Sequence, residues 1–522
     1  MARIVALAFV LFVITAADAQ ATAFRVVVVP GLGLDDLPAL ADRGAIGLLV
    51  PGAGPETSAA LARAALVRGK MTNSLGGLTT GPRLISFETS TTIPDGPAIV
   101  IGLPGEATQP NNRRYPVAVI GGGFHGVLTS DSTRIPGLVS IVDIAPTALG
   151  HHNALGWQSD DNAAATVQSL ETRIVANNRA RVPATVLVVV LVVLLTLLWP
   201  RAGLLGLGAG LAANLVLGLT GVSGLWAVLP VLGIAILAGG ALLALLLRSN
   251  LGAGLFPAAV LVAYLVALGF GPAVALSNFG SALNGRFYGV SNLLETMLLV
   301  LALAAGAFLG RRLGPIAFVL VALIAFVAIA GNRFGADGGG AIVLAAGFAL
   351  LGALLWEARG RVLVAAFAGA LMLAVGLIAL DAATGASSHV TRALESGPGG
   401  LAADLRDRST MSWHRIAHKP SVAVVFGIGL IVLIVLTIHV LRSDKPLSQR
   451  ALPLAFAGAI AISLLVNDSP NDVALFGSVG LLVCDLVMLR DRCTAASCSR
   501  LSLASLWPVV AERRLLRQRP RP

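Results

Sequence analysis

The residues best suited to chemistry stand in four polar clusters set between long apolar runs. The first is Asn284-Gly285-Arg286-Phe287-Tyr288-Gly289-Val290-Ser291-Asn292, followed by Glu295. The second runs from Gly331 through Arg333 and Asp337 to Gly338-Gly339-Gly340. The third, residues 381–420, holds His389, Arg392, His414, Arg415, His418 and Lys419. The fourth is Asn467-Asp468-Ser469-Pro470-Asn471-Asp472. An arginine fork suits a phosphate, and a carboxylate or imidazole suits proton removal. Arg286, Arg333 and Arg392 are therefore the candidate phosphate holders. Glu295, Asp337, His389 and Asp468 are the candidate bases.

An ionisable group at membrane depth is costly and faces a cavity or a partner. Glu295 falls inside an apolar run, so Arg286 or Arg333 is its expected partner. The glycines at 338–340 permit irregular backbone around a cavity, and a helix starting there would receive an anion. Plainer readings stand beside these. Arg286 and Arg333 can snorkel at an interface, the glycines can serve close helix packing, and His389 with Arg392 can be a solvated pair. The three histidines of the third cluster have no diagnostic metal spacing, nor does the isolated Cys493-x4-Cys498 pair.

The elements that must position these residues follow from composition. Of 522 residues, 56% are hydrophobic and 12% charged, against roughly 25% charged in a soluble domain. That balance excludes a chain folded in water throughout, and equally excludes disorder and collagen. Three cysteines exclude a disulfide scaffold. Several runs exceed the ~18 apolar residues that mark a membrane-spanning helix. Eleven spans are predicted near 183–200, 202–221, 225–247, 251–272, 288–310, 313–330, 339–357, 361–380, 421–441, 451–467 and 471–489.

Residues 1–19 carry Arg3, a short apolar run and Ala17-Asp18-Ala19, the pattern of a secretory signal or of an uncleaved anchor. With the N-terminal region outside, the inner loops hold nine basic residues against Glu357 and Asp444, and the tail at 490–522 holds eight arginines against two acids. The outer loops balance at seven of each sign. The excess positive charge thus lies on one side, as the positive-inside rule requires. This removes the nucleic-acid reading of the formal charge of +11 and makes membrane lipid the partner of the basic tail. The expected location is a bacterial cytoplasmic membrane, with residues 20–182 extracytoplasmic and the C-terminus cytoplasmic.

Residues 20–182 differ in kind, with 12 basic and 12 acidic residues and no cysteine. Strands are predicted at 25–29, 98–102 and 117–121, and helices at 37–43 and 58–68. Short apolar strands alternating with helices indicate α/β layering. The expected fold is an α/β extracytoplasmic domain followed by an all-α polytopic membrane domain of about 11 transmembrane helices, residues 183–489.

Two stretches of the first domain resemble the alkaline phosphatase/sulfatase superfamily. Leu138-Val139-Ser140-Ile141-Val142-Asp143-Ile144-Ala145-Pro146-Thr147 is similar to its "vDiaPTlL" segment. Thr57-Ser58 and the following Ala59–Lys70 resemble its nucleophile-bearing turn and helix, and Arg25–Leu34 its first strand and metal loop. The resemblance implies Ser58 as nucleophile if this domain is active, with a divalent metal at Asp35, Asp36 and His125. The departures imply a degenerate, metal-free relative: Pro30-Gly31 stands where the metal-binding Asp is expected, and the later ligand pair is missing. The membrane half also resembles a family of bacterial multispan proteins with a phosphatase-like domain and R-F-Y-G, G-A-x-x-G-G and N-D-S-G motifs. The Asn292–Glu295 spacing and Pro470 depart from that pattern.

Three functions follow. One is an envelope enzyme that transfers or hydrolyses a phosphorylated or lipid-linked glycan group at the outer face, with no cofactor beyond a metal in an active phosphatase-like domain. The second is a transporter or lipid flippase. The third is a non-catalytic scaffold with a pseudo-phosphatase domain that binds an envelope component.

Overall fold

The computed structural model describes residues 24–75, 81–150, 154–281, 288–331, 334–335, 338–358, 361, 368–369, 372, 376, 410, 412–417, 419–467 and 469–489. The candidate signal at 1–19, most of the predicted span at 361–380 and the tail at 490–522 lie outside them.

The N-terminal part is built on one mixed sheet. Its strands are β1 Arg25–Val28, β2 Gly44–Val50, β4 Glu88–Thr89, β5 Ala98–Ile101, β7 Tyr115–Ile120, β8 Gly126–Ser130, β9 Leu138–Ser140 and β10 Leu155–Gln158. They lie in the order β10-β8-β2-β7-β5-β1-β4, with β9 beside the far half of β2. β1 is parallel to β4 and β5, whereas β7 is antiparallel to both β5 and β2. A separate two-stranded ribbon pairs β3 Glu56–Thr57 with β6 Gln109–Pro110.

Both faces of the sheet are covered, so the central strands are apolar throughout rather than alternating. On one face Val27, Ile46, Leu48, Val100 and Ala118 pack with Leu37 and Leu40 of α1 (Leu37–Ala41). On the other, Val26, Leu49, Ile99 and Val119 pack with Ala62 and Leu66 of α2 (Ala59–Arg68) and Ile144 of α3 (Ile144–Leu149). The predicted strands and helices in this region all form, with ends shifted by up to two residues. Strand β2, Gly-Ala-Ile-Gly-Leu-Leu-Val, was not anticipated, because its two glycines interrupt the run of strand-forming residues that marks the buried β1 and β5.

Helix α4, Ala163–Leu198, runs unbroken from the sheet domain into the apolar bundle. It passes through the expected domain boundary at 182–183 without a break. The bundle continues with α5 Pro200–Thr220, α6 Leu225–Leu246, α7 Asn250–Phe270, α8 Asn292–Leu313, α9 Pro315–Ala330, α10 Gly338–Leu355, α11 Pro420–Arg442, α12 Leu447–Val466 and α13 Pro470–Leu489. Among the described residues, eight helices are long and apolar enough to cross a membrane, and α9 and α10 are shorter apolar helices. The chain therefore has the character of a multi-pass membrane protein. These ten helices coincide with ten of the eleven predicted stretches, and the eleventh is the one that lies mostly outside the described residues. Helix α8 is buried from Asn292 to Gly310 and forms the centre of the bundle.

The two parts are joined by more than the shared helix. Between α7 and α8 the chain from Val274 to Ser281 is irregular yet buried. Its Ala275 and Leu276 enter the sheet-face core that holds Val27 and Leu48. Along α4, Arg173 donates to Gly218 O, Asn177 to Leu276 O at 2.8 Å and Arg181 to Gly280 O at 3.2 Å. The spacing of four residues puts these donors on one helix face, one turn apart. The Leu276 and Gly280 carbonyls belong to the irregular segment and the Gly218 carbonyl to the last turn of α5, so each bond satisfies an acceptor that its own element leaves open.

Candidate functional site

A cavity of about 370 Å³ lies at the junction of the sheet domain and the bundle. Five separate parts of the chain form its wall. The loop after β2 supplies Gly52, Gly54 and Pro55, and the segment after β6 supplies Asn111, Asn112, Arg113 and Arg114. Helix α4 adds Asn178 and Arg181, and the approach to α11 adds Arg415 and Lys419. The start of α13 adds Ser469, Asn471 and Asp472. Five basic side chains thus face one carboxylate among the described lining residues.

Local bonds fix this wall. Asn111 Nδ2 donates to Gly52 O at 3.0 Å and to Gly54 O at 3.1 Å, which ties the two domain loops together. Gly54 has φ +91, and a Cβ there would run into Ser74 and Asn73, so the turn requires glycine. Arg114 Nη1 lies 3.6 Å from Glu171 Oε2 on α4, with both side chains 8% exposed. Burial pushes the Arg114 guanidinium below its usual value, and the Glu171 carboxylate opposes that shift. On the bundle side, Arg415 donates to Ser469 Oγ at 3.1 Å and Asn471 Nδ2 donates to Asp472 Oδ1 at 2.8 Å. Asp472 lies within electrostatic reach of Arg181.

Of the residues singled out in the membrane half, Glu295 is described and buried at 2% exposure. Ser291 caps its helix, and the carboxylate sits in the first turn, where the helix dipole favours it. Glu295 Oε2 accepts from Asn467 Nδ2 at 3.2 Å, and Asn467 belongs to the same turn as Ser469. Arg286, Arg333, Asp337, His389, Arg392 and Asp468 lie outside the described residues. Their neighbours do meet. Val290 N donates to Gly335 O at 3.0 Å, and Gly289, at φ +76, lies so close to Gly335 that a Cβ would overlap its carbonyl. The first, second and fourth clusters therefore converge on the end of the bundle next to the sheet domain.

In the sheet domain, Ser58 is the N-cap of α2 and accepts the Leu61 N–H at 3.4 Å. It is buried at 6% exposure, closed to a substrate in this conformation. Asp35 and Asp36 are exposed in a single 3-10 turn, where Asp36 accepts the Gly33 N–H at 2.8 Å. His125 is exposed and lies on Trp157, with ring centroids 3.6 Å apart. Among the described residues no group of three His, Cys, Asp or Glu is close enough to hold an ion. Asp143 of the "vDiaPT" segment is buried and accepts from Ser130 Oγ and Ser132 Oγ, both at 2.5 Å. Burial holds its carboxyl above the usual carboxylate range, against the pull of those two hydroxyls.

Sequence reasoning missed Arg113, Arg114 and Arg181. The Asn111-Asn112-Arg113-Arg114 run was the available signal, being a dense polar stretch directly before a buried strand. Arg181 stands at the edge of an apolar run and looks like any flanking charge.

The chain has no match among protein-family models, curated proteins or solved structures.

Proposed function

We propose that this is an integral membrane protein of the bacterial cell envelope that binds a phosphorylated or lipid-linked glycan group in the junction cavity and transfers or hydrolyses it at the outer face. The observation that carries this reading is the cavity wall: among the described residues, five basic side chains and one carboxylate, drawn from both parts of the chain. The charge asymmetry of the loops supports an extracytoplasmic sheet domain and eleven spans, the eighth at 361–380.

In this reading Arg113, Arg181, Arg415 and Lys419 hold phosphate oxygens and offset the charge that builds on them in the transition state. Arg114 is committed to Glu171 and shapes the wall. Asp472 accepts the proton of the attacking hydroxyl or water. Glu295, through Asn467, positions the turn that carries Ser469 and Asp472. The test is turnover of a polyprenyl-diphosphate-linked saccharide by the full-length protein in lipid nanodiscs. Arg181→Ala and Asp472→Asn should each lose activity at least about tenfold, the scale of one charge-assisted contact. Unchanged turnover in both variants would sink the proposal.

A second reading is a scaffold with a pseudo-phosphatase domain. The capped, buried Ser58 and the exposed Asp35, Asp36 and His125 favour it. It requires saccharide-lipid binding that depends on Arg181 without any turnover.

A further inference from the structure

A second cavity, of about 310 Å³, lies on another flank of the junction. Its wall combines the domain loop Thr133–Ile135 with Leu268 and Phe270 at the end of α7, and with Tyr288 and Phe334. It shares no lining residue with the first cavity. We propose that this cavity binds the headgroup of an anionic phospholipid from the leaflet on the sheet-domain side, with the phosphate on Arg134 and the acyl chains along α7.

Three observations carry this. The first is the placement of the cation. Arg134 stacks over the Tyr288 ring at 4.3 Å, which ties the domain loop to the bundle. Its φ is +54, a left-handed conformation that costs a non-glycine residue on the order of 1 kcal/mol.

The second is the bracing that maintains that conformation. Ser130 and Ser132 both donate to the buried Asp143, Thr133 Oγ1 donates to Leu138 O at 2.5 Å, and Arg134 N donates to Ser130 O at 2.9 Å. The loop is therefore over-determined, and strain that survives in such a setting points to a role for the residue that bears it.

The third is the approach from the apolar side. Val262, Val266 and Phe270 are 40%, 50% and 89% exposed. At i, i+4 and i+8 they form one stripe along a helix fit to cross a membrane. The stripe ends at Phe270, which lines the cavity together with Arg134. An apolar track leading to a cation matches a lipid with a phosphate head, and it matches a free anion poorly.

The test uses full-length protein in nanodiscs of equal phosphatidylglycerol and phosphatidylcholine, with a benzophenone amino acid in place of Phe270. Cross-linked lipid is identified by mass spectrometry. The local readout ignores lipid held by the basic loops at the other end of the bundle. Phosphatidylglycerol should exceed phosphatidylcholine about fivefold, the order expected of one guanidinium on an anionic headgroup. Arg134→Gly should bring the ratio to unity, and because glycine accepts the left-handed backbone it keeps the loop path. Equal labelling with Arg134 intact, or an excess that survives Arg134→Gly, would overturn the assignment. An excess abolished by inorganic phosphate would overturn it in favour of a soluble anion.

Discussion

Arg114 and Glu171 form a buried ion pair at 3.6 Å that fastens the loop after β6 to helix α4. One partner belongs to the wall of the cationic cavity and the other to the helix that enters the bundle. The pair is where the sheet domain's contribution to the cavity is set.

Removing one partner of a buried pair strands the other charge. Glu171→Ala should destabilise the protein by about 3–5 kcal/mol. The double variant Arg114→Met with Glu171→Leu should recover most of that loss. A thermal melt of the three proteins in the same detergent checks this, and equal melting temperatures for the single and double variants would contradict it.

Asp143 gives a pH dependence whose sign is fixed. Its folded pKa is raised, so the folded state binds more protons than the unfolded one above about pH 3.9, the ordinary Asp value. Its contribution to stability is therefore lost as pH rises from that value through the raised folded one. Wild type should lose stability over that window relative to Asp143→Asn, which cannot titrate. Parallel melts at a series of pH values read the difference, and a constant offset would refute the assignment.

Ser58→Ala removes a helix cap and should cost about 1 kcal/mol. If chemistry belongs to the junction cavity, turnover should stay within about twofold. A loss of activity on the scale of a missing nucleophile, about 10³-fold or more, would move the chemistry into the sheet domain.

Asn467→Leu takes one donor from the buried Glu295 carboxylate and should cost about 1–3 kcal/mol. Glu295→Gln keeps the size and an acceptor oxygen while removing the charge, so it should cost less. If Glu295→Gln proves the more damaging of the two, the carboxylate's charge is needed by a group other than Asn467.

The apolar helices were legible because a membrane leaves a backbone few choices, and a run such as 420–442 admits little but a helix. In the sheet domain, β1 and α2 were legible from their turn residues, Pro30-Gly31 before one loop and Ser58 at one cap. The strands β2 and β8 were not, because Gly44 and Gly47 break up the first and Gly126 and Ser130 bound a short apolar pair in the second, so neither reads as a run of strand formers. The site was legible from the bundle side alone. Polar loops such as 467–472 stand out against apolar neighbours, whereas Arg113 and Arg114 sit in a domain where charges are ordinary. Arg181 and Asp472 are nearly 300 positions apart, and only the fold brings them to one wall.

The three bonds from Arg173, Asn177 and Arg181 also have a kinematic consequence. Eight residues of helix span about 12 Å, so three anchors along that line resist a tilt of α4 against the bundle. Rotation about the helix's own axis is opposed by Ala275 and Leu276, which pack in the core on one face of the sheet. If the two cavities take the ligands proposed for them, a domain held in this way leaves the side of the junction as the path in, and for a molecule carried in a bilayer the encounter is then a search in two dimensions.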